Sequence, residues 1–277
     1  MSQARRRQER RPASAVLALA VLSALAARAE AQLPLEGAEA EAFLRSASVV
    51  TRKPIGSGIT ESQKLTLSDG TRTTHAAWKT IHQHFVGMQK MVGGRQEFDF
   101  RDSWKHDVAA YELDKLLGIG LVPPTVERHI EGRTGALQLW IEHATDEHDR
   151  RHRHLQPPNL AIWNARQADE RLLRELAYDT DFNIHNTLYD PAFRVYAIDF
   201  SRAFRIQPQL LDPGRLDRFS RAVLERLRAL DRPTLEARLS PWLDRLQIAG
   251  LLSRRDRILE LVEKRIAAQG EAQTLTP

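Results

Sequence analysis

The chain has 277 residues, 42% hydrophobic and 28% charged, which is enough for one large domain or two small ones with a real core. It contains no cysteine, so disulfides, iron–sulfur clusters, cysteine zinc sites and a thiol nucleophile are all excluded. The formal charge is +5, yet residues 1–31 alone carry six Arg and two Glu, so the remaining 246 residues are close to neutral. A nucleic-acid footprint needs a basic stripe on the folded domain, and these totals do not supply one.

In chain order, Arg5-Arg6-Arg7 and Arg10-Arg11 form a positive region before an uncharged Ala/Leu/Val run from Ala13 to Ala27. Ala29-Glu30-Ala31 fits a small-x-small cleavage site, so residues 1–31 read as a signal peptide for export to a periplasmic or extracellular location. The alternative is an uncleaved N-terminal anchor. With a mean hydropathy of −0.45, the chain is not a multi-span membrane protein. Residues 36–43 form an acidic amphipathic stretch. Residues 51–100 alternate short apolar runs with Gly, Ser, Asp and Thr, a pattern of strands and hairpins with a turn at Ser68-Asp69-Gly70. Residues 103–118 read as a helix capped by Ser103 and ended by Gly118 and Gly120. A hairpin with a Glu131-Gly132 turn follows over 126–142. Residues 143–158 read as a polar, solvated linker, and from Ala161 helices dominate, interrupted by a short hairpin at 187–200. Strands first and helices later imply an α+β, two-lobed chain: a lobe over 32–142, the linker at 143–158 and a helical lobe over 159–277.

The chemistry concentrates in Asp181-Phe-Asn-Ile-His-Asn186 and in the apolar strand ending Ile198-Asp199-Phe200-Ser201. Hard divalent cations take oxygen ligands, and phosphoryl transfer needs metal ligands beside a group that orients the attacking hydroxyl. Asp181, Asn186 and Asp199 offer that set across one hairpin. Read blandly, they are turn residues that cap nearby backbone. Asp179 is a second candidate base.

Upstream, Gly56-Ser57-Gly58 lies between candidate strands, where exposed N–H groups can meet phosphate oxygens; an ordinary turn is the bland reading. Lys79 lies near the end of a strand over 73–81 and needs an anionic partner if it is buried. Glu112 falls on one helical stripe with Val108 and Leu116, where a carboxylate also needs pairing. A local Glu112–Lys115 surface pair is its alternative use.

In this order, these parts resemble an atypical kinase of the protein-kinase-like superfamily, similar to HipA-type, phosphatidylinositol and secretory-pathway kinases. The resemblance covers about residues 50–205. It implies a two-lobed kinase-like fold and ATP with Mg²⁺ or Mn²⁺ as cofactors. It implies Asp181 as catalytic aspartate, Asn186 and Asp199 as metal ligands, and a Lys79–Glu112 pair orienting the phosphates beneath Gly56, Ser57 and Gly58. The acceptor it leaves open: protein, sugar or lipid headgroup. The sequence departs from the usual pattern in three places, one of them a short Gly loop at Gly56-Ser57-Gly58. Tyr178-Asp179-Thr180 stands where His-Arg would precede the aspartate, and Ser201 replaces the glycine after Asp199-Phe200. An exported, catalytically inactive kinase-like module that binds a ligand or protein is the alternative. His143, His148, His152 and His154 crowd the linker, and imidazoles bind zinc or nickel, but many charged neighbours give that stretch a solvated character.

Overall fold

The computed structural model describes residues 35–56, 62–90 and 96–276. The chain divides into units of 1–35 and 36–277, and the second is described below. The expected signal peptide lies outside the described residues, as do Ser57 and Gly58. Among the described residues no helix is long and apolar enough to cross a membrane.

Helix α1 (Gly37–Ser46) buries Ala40, Phe43 and Leu44, the apolar side of the acidic stretch. Strands β1 (Ser48–Pro54), β2 (Gln63–Ser68), β3 (Thr73–Lys79), β6 (Thr125–Ile130) and β7 (Arg133–Leu139) form an antiparallel sheet in the order β1-β2-β3-β7-β6. The β2–β3 turn closes as its composition requires, because Asp69 Oδ1 accepts hydrogen bonds from the N–H groups of Thr71 and Arg72. Strands β4 (His82–Lys90) and β5 (Gln96–Ser103) form a separate antiparallel ribbon with a bulge between Phe85 and Met88.

Ser103 ends the ribbon and caps helix α2 (Trp104–Leu117), its hydroxyl accepting the Lys105 N–H, while Gly118 ends the helix at φ 63°. This helix is shared between the two halves of the fold. Trp104 and Val108 pack with Ala136 of the sheet, while Ala109, Ala110, Leu113 and Leu117 enter the large core of the helical half. That core is built from α4 (Leu160–Ala177), α5 (Arg221–Ala229), α6 (Arg232–Leu239) and α7 (Arg245–Gln269), around Leu172, Leu176, Phe200, Phe204, Leu227 and Leu251. The apolar residues that the sequence spaces along these helices are the ones that fill it.

The stretch over 143–158 is not a free linker. Its strand β8 (Thr145–Asp146) pairs antiparallel with β9 (Thr187–Tyr189), which pairs with β10 (Val195–Ala197), and helix α3 (Glu147–His152) follows β8 directly. Glu147 is buried, bonded to Arg150, Arg151 and the Tyr189 hydroxyl. Its charged neighbours make local ion pairs, so polarity here marks a folded surface element. Short helix α8 (Glu271–Thr274) leads into β12 (Leu275–Thr276), which lies parallel to β11 (Phe219–Ser220).

Candidate active site

Three segments distant in sequence meet at Lys79. On β3, Ala76 and Trp78 are buried against the core, so alternation turns Lys79 to the opposite face. Its Nζ donates to Asp199 Oδ1 at 2.8 Å and to Asp107 Oδ1 at 3.1 Å. Burial alone lowers an ammonium pKa, but Asp107 and Asp199 more than offset it and hold Lys79 above the usual lysine range. Attraction to Lys79 outweighs burial at Asp199 and keeps that carboxyl below the usual range. Asp107 is different. Its side chain is only 1% exposed, and burial pushes it up to about 6 against the pull of Lys79.

Asp107 is the partner that the sequence did not reveal, and the expected Lys79–Glu112 pair is not formed. Glu112 instead accepts from Arg238 Nε of α6, and its other oxygen lies 2.8 Å from Lys115 Nζ. Five residues along a helix turn a side chain about 140° round the axis, so a helix that offers Asp107 to β3 carries Glu112 toward α6. The i,i+3 pair with Lys115 is thus part of the outcome. Asp107 lies in the first turn of α2, where an acid is favoured by the helix dipole in any case, so nothing in the pattern distinguished it. Asp107 Oδ1 also accepts the Phe200 N–H at 3.0 Å, which ties α2 to the residue after Asp199.

Asp199 adopts φ 62°, a left-handed conformation that a non-glycine residue holds only when its surroundings enforce it. The segment behind it is firmly anchored. The Ser201 carbonyl accepts from Ser103 N and from His106 Nδ1, and the Phe204 carbonyl accepts from Gln247 of α7. Fully buried Arg254 donates to the carbonyls of Leu176, Arg205 and Gln207.

The Asp181–Asn186 loop is held from beneath by Arg174 of α4. This arginine is buried and donates to Glu170 Oε1 at 2.9 Å, Asp179 Oδ2 at 2.5 Å and the Asn186 carbonyl at 2.7 Å. Its guanidinium also lies over the rings of Phe182 and Phe200, centroids 4.5 and 4.8 Å away. The two candidate bases are therefore unlike. The Asp179 side chain is fully buried and clamped by Arg174, whereas that of Asp181 is 44% exposed. Burial shifts the Asp181 carboxyl upward, Arg202 pulls it down, and the Asp199 charge raises it again. Arg202 reaches Asp181 Oδ2 at 3.4 Å and donates to Asp102 at 3.2 Å, so it links the loop to the β4–β5 ribbon. Arg202 was also missed. It follows the Asp-Phe-Ser triplet with no pattern of its own.

Asn186 is buried, and its Nδ2 donates to the Asp181 carbonyl at 3.2 Å. The Ile198 N–H donates to the Asn186 carbonyl, bringing Asn186 next to the start of the Asp199 turn. Asp181, Asn186, Asp199 and Lys79 thus belong to one hydrogen-bonded neighbourhood, and Glu112 stands outside it. Gly56 has φ 58° with open space where a Cβ would lie, and Ser57 and Gly58 lie outside the described residues.

The fold that carries this neighbourhood is protein-kinase-like. Solved structures similar to it include hydra Fam20 with sugar, at TM-score 0.63 and 16% identity, covering 86% of this chain and 91% of that one. The Golgi casein kinase with Mn/ADP bound aligns at TM-score 0.59 and 14% identity over 86% of this chain and 78% of its own. The Helicobacter pylori proinflammatory kinase CtkA aligns at TM-score 0.51 and 10% identity, over 82% and 98%. At such identities the likeness establishes the fold alone. No family model matches the sequence, and no curated protein matches it.

Proposed function

We propose that the chain is a phosphotransferase that binds ATP with Mg²⁺ or Mn²⁺ and passes the γ-phosphoryl group to a hydroxyl acceptor. The observation that carries this reading is the contact of Lys79 with Asp199 and Asp107, beside an accessible Asp181 and a buried Asn186. The donor set of Asp199 and Asn186 fits a hard cation, since it offers carboxylate and amide oxygens and no thiolate. When bound, the cation would supply positive charge that neutralises the negative charge developing on the transferred phosphoryl group. Asp199 and Asn186 are the residues that would hold it. Lys79 supplies a fixed positive charge to the phosphates, and Asp107 orients Lys79 rather than contacting nucleotide. Asp181 accepts the proton of the acceptor hydroxyl. Its accessibility favours it over Asp179, whose lone pairs are committed to Arg174 and the Asp181 N–H. Gly56, Ser57 and Gly58 would cover the phosphates.

We further propose that the protein acts after export, directed by residues 1–31. The arginine-rich start and the uncharged run after it support this, and one neighbour of the same fold is described as a Golgi kinase. The acceptor class stays open; the Fam20 neighbour was solved with a sugar. The test is ADP release by the purified chain with ATP and Mn²⁺, offered protein, sugar and lipid-headgroup acceptors. Asp181→Asn should bind nucleotide like the wild type and release ADP at least about a hundredfold more slowly. Equal rates would remove Asp181 from this role, and ATP binding with no turnover on any acceptor would favour a non-catalytic binding module.

A further inference from the structure

Outside the Lys79–Asp199 neighbourhood, a second group of chemically capable side chains gathers where β8 pairs with β9. The register sets Asp146 opposite Leu188, close to the end of the Asp181–Asn186 loop. Asp146 divides its carboxylate between two tasks. Oδ1 caps α3 by accepting the Asp149 N–H at 2.7 Å, and Oδ2 meets His185 Nδ1 at 2.8 Å. The His185 ring lies 4.9 Å from that of His148, and His148 stacks on His152, one helical turn on, with centroids 6.4 Å apart and planes within 12°. Three imidazoles thus stand in a column with a carboxylate at one end. Of the other acids nearby, Glu147 is consumed by Arg150, Arg151 and Tyr189, and Asp149 Oδ1 lies 3.3 Å from His148 Nδ1.

We propose that Asp146, His148 and His185 bind a transition-metal dication of the Zn²⁺ or Ni²⁺ class, with His152 as an adjacent third imidazole, and that the metal pins the Asp181–Asn186 loop to α3. The potential ligand atoms of the first three residues all lie within 4.8 Å of one another. Tetrahedral zinc with ligands near 2.1 Å separates them by about 3.4 Å. His148 and His185 are both exposed, so small rotamer changes cover the difference. Imidazole donors select zinc, nickel or copper over magnesium and calcium, which prefer all-oxygen shells. The site is therefore chemically distinct from the oxygen-donor set at Asp199. One of its ligands, His185, is the residue immediately before Asn186. The sequence had shown crowded histidines at 143–154; the fourth partner, His185, is joined to them only by the β8–β9 pairing.

The test titrates Zn²⁺ into the metal-stripped full chain by calorimetry, with millimolar Mg²⁺ present and no nucleotide. Its readout is therefore independent of the phosphotransferase reading. One equivalent should bind, and His148→Ala or His185→Ala should each weaken it at least about tenfold. Asp146→Asn, which keeps the helix cap, should also weaken it, whereas His129→Ala on β6 should not. Amide hydrogen exchange over residues 183–188 should slow when Zn²⁺ is added to the wild type, and should not respond in His148→Ala. Binding unchanged by His148→Ala, no saturable one-to-one binding, or binding without protection of 183–188 would each overturn the proposal.

Discussion

Replacing Arg174 with methionine isolates what holds the Asp181–Asn186 loop. Methionine keeps the length of the apolar stem but removes the hydrogen bonds to Glu170, Asp179 and the Asn186 carbonyl. Glu170 would retain only the Thr187 hydroxyl among these partners, and Asp179 only the Asp181 N–H. Both carboxylates are buried, so the change strands negative charge rather than deleting one neutral contact. Breaking a buried ion pair from one side costs about 3–5 kcal/mol. For a domain of this size each kcal/mol moves the Tm by about 2–4 °C, so the variant should melt roughly 6–20 °C lower. Burial already raises the Asp179 pKa, and Arg174 is the main force opposing that rise. Adding Asp179→Asn to Arg174→Met should therefore restore stability, with a coupling of at least about 1 kcal/mol in a double-mutant cycle. Urea denaturation of the four proteins reads it. A loss under about 1 kcal/mol in Arg174→Met, or simple additivity with Asp179→Asn, would refute the argument.

Three further outcomes are expected. Asp107→Asn should slow phosphoryl transfer by about a hundredfold or more, while Glu112→Gln changes it less than about threefold, as read by steady-state kinetics; equal effects would restore Glu112 as the partner of Lys79. Gly135→Ala would set a Cβ 2.2 Å from the Lys79 carbonyl oxygen, with Thr80 and Trp78 side chains also in contact, so β3 and β7 must separate beside Lys79. It should cost about 1–3 kcal/mol in denaturation and weaken nucleotide binding. His106 is buried, donates from Nδ1 to the Ser201 carbonyl and meets Gln247 at Nε2; burial pushes it down to about 3 from an ordinary 6.5. The unfolded chain then takes up the proton first, so this stability is present above pH 6.5 and is lost as pH falls toward 3. Relative to His106→Asn, the wild type should weaken by up to about 1.4 kcal/mol per pH unit across that window. Asp107 and Asp114, both raised to about 6 chiefly by burial, shift stability the opposite way but remain in both proteins.

Local signals in the sequence were reliable where local physics decides the outcome. The Ser103 cap, the Gly118 stop, the Asp69 turn and the Glu131-Gly132 hairpin all depend on backbone geometry within a few residues. The strand carrying Lys79, expected over 73–81 and observed over Thr73–Lys79, and the hairpin preceding Asp199 were likewise legible, because alternating apolar residues bounded by turns have few other uses. Partner choice was not legible. Whether Lys79 meets Asp107 or Glu112 depends on how α2 is rotated against β3, and both acids occupy helical positions with ordinary local explanations. The clamp formed by Arg174 was hidden for the same reason. An arginine in an amphipathic helix is usually solvated, and only the packing of Phe182 and Phe200 over its guanidinium marks it as buried. The stretch over 143–158 looked solvated because its polar residues satisfy one another, and the β8–β9 pairing leaves too short a strand for any periodicity to appear.

The central claim is that Lys79, Asn186 and Asp199 hold a nucleotide together with a divalent cation. It is tested most directly by thermal unfolding of the chain with ATP, with and without Mg²⁺ or Mn²⁺, beside Asp199→Ala. Ligand that binds only the folded state raises its stability by mass action, by about 2.7 kcal/mol at a hundredfold excess over Kd. A Tm increase that requires the cation and disappears in Asp199→Ala is the predicted result. A well-folded wild type that fails to respond to any nucleotide–metal combination, or an Asp199→Ala variant that responds equally, would contradict it.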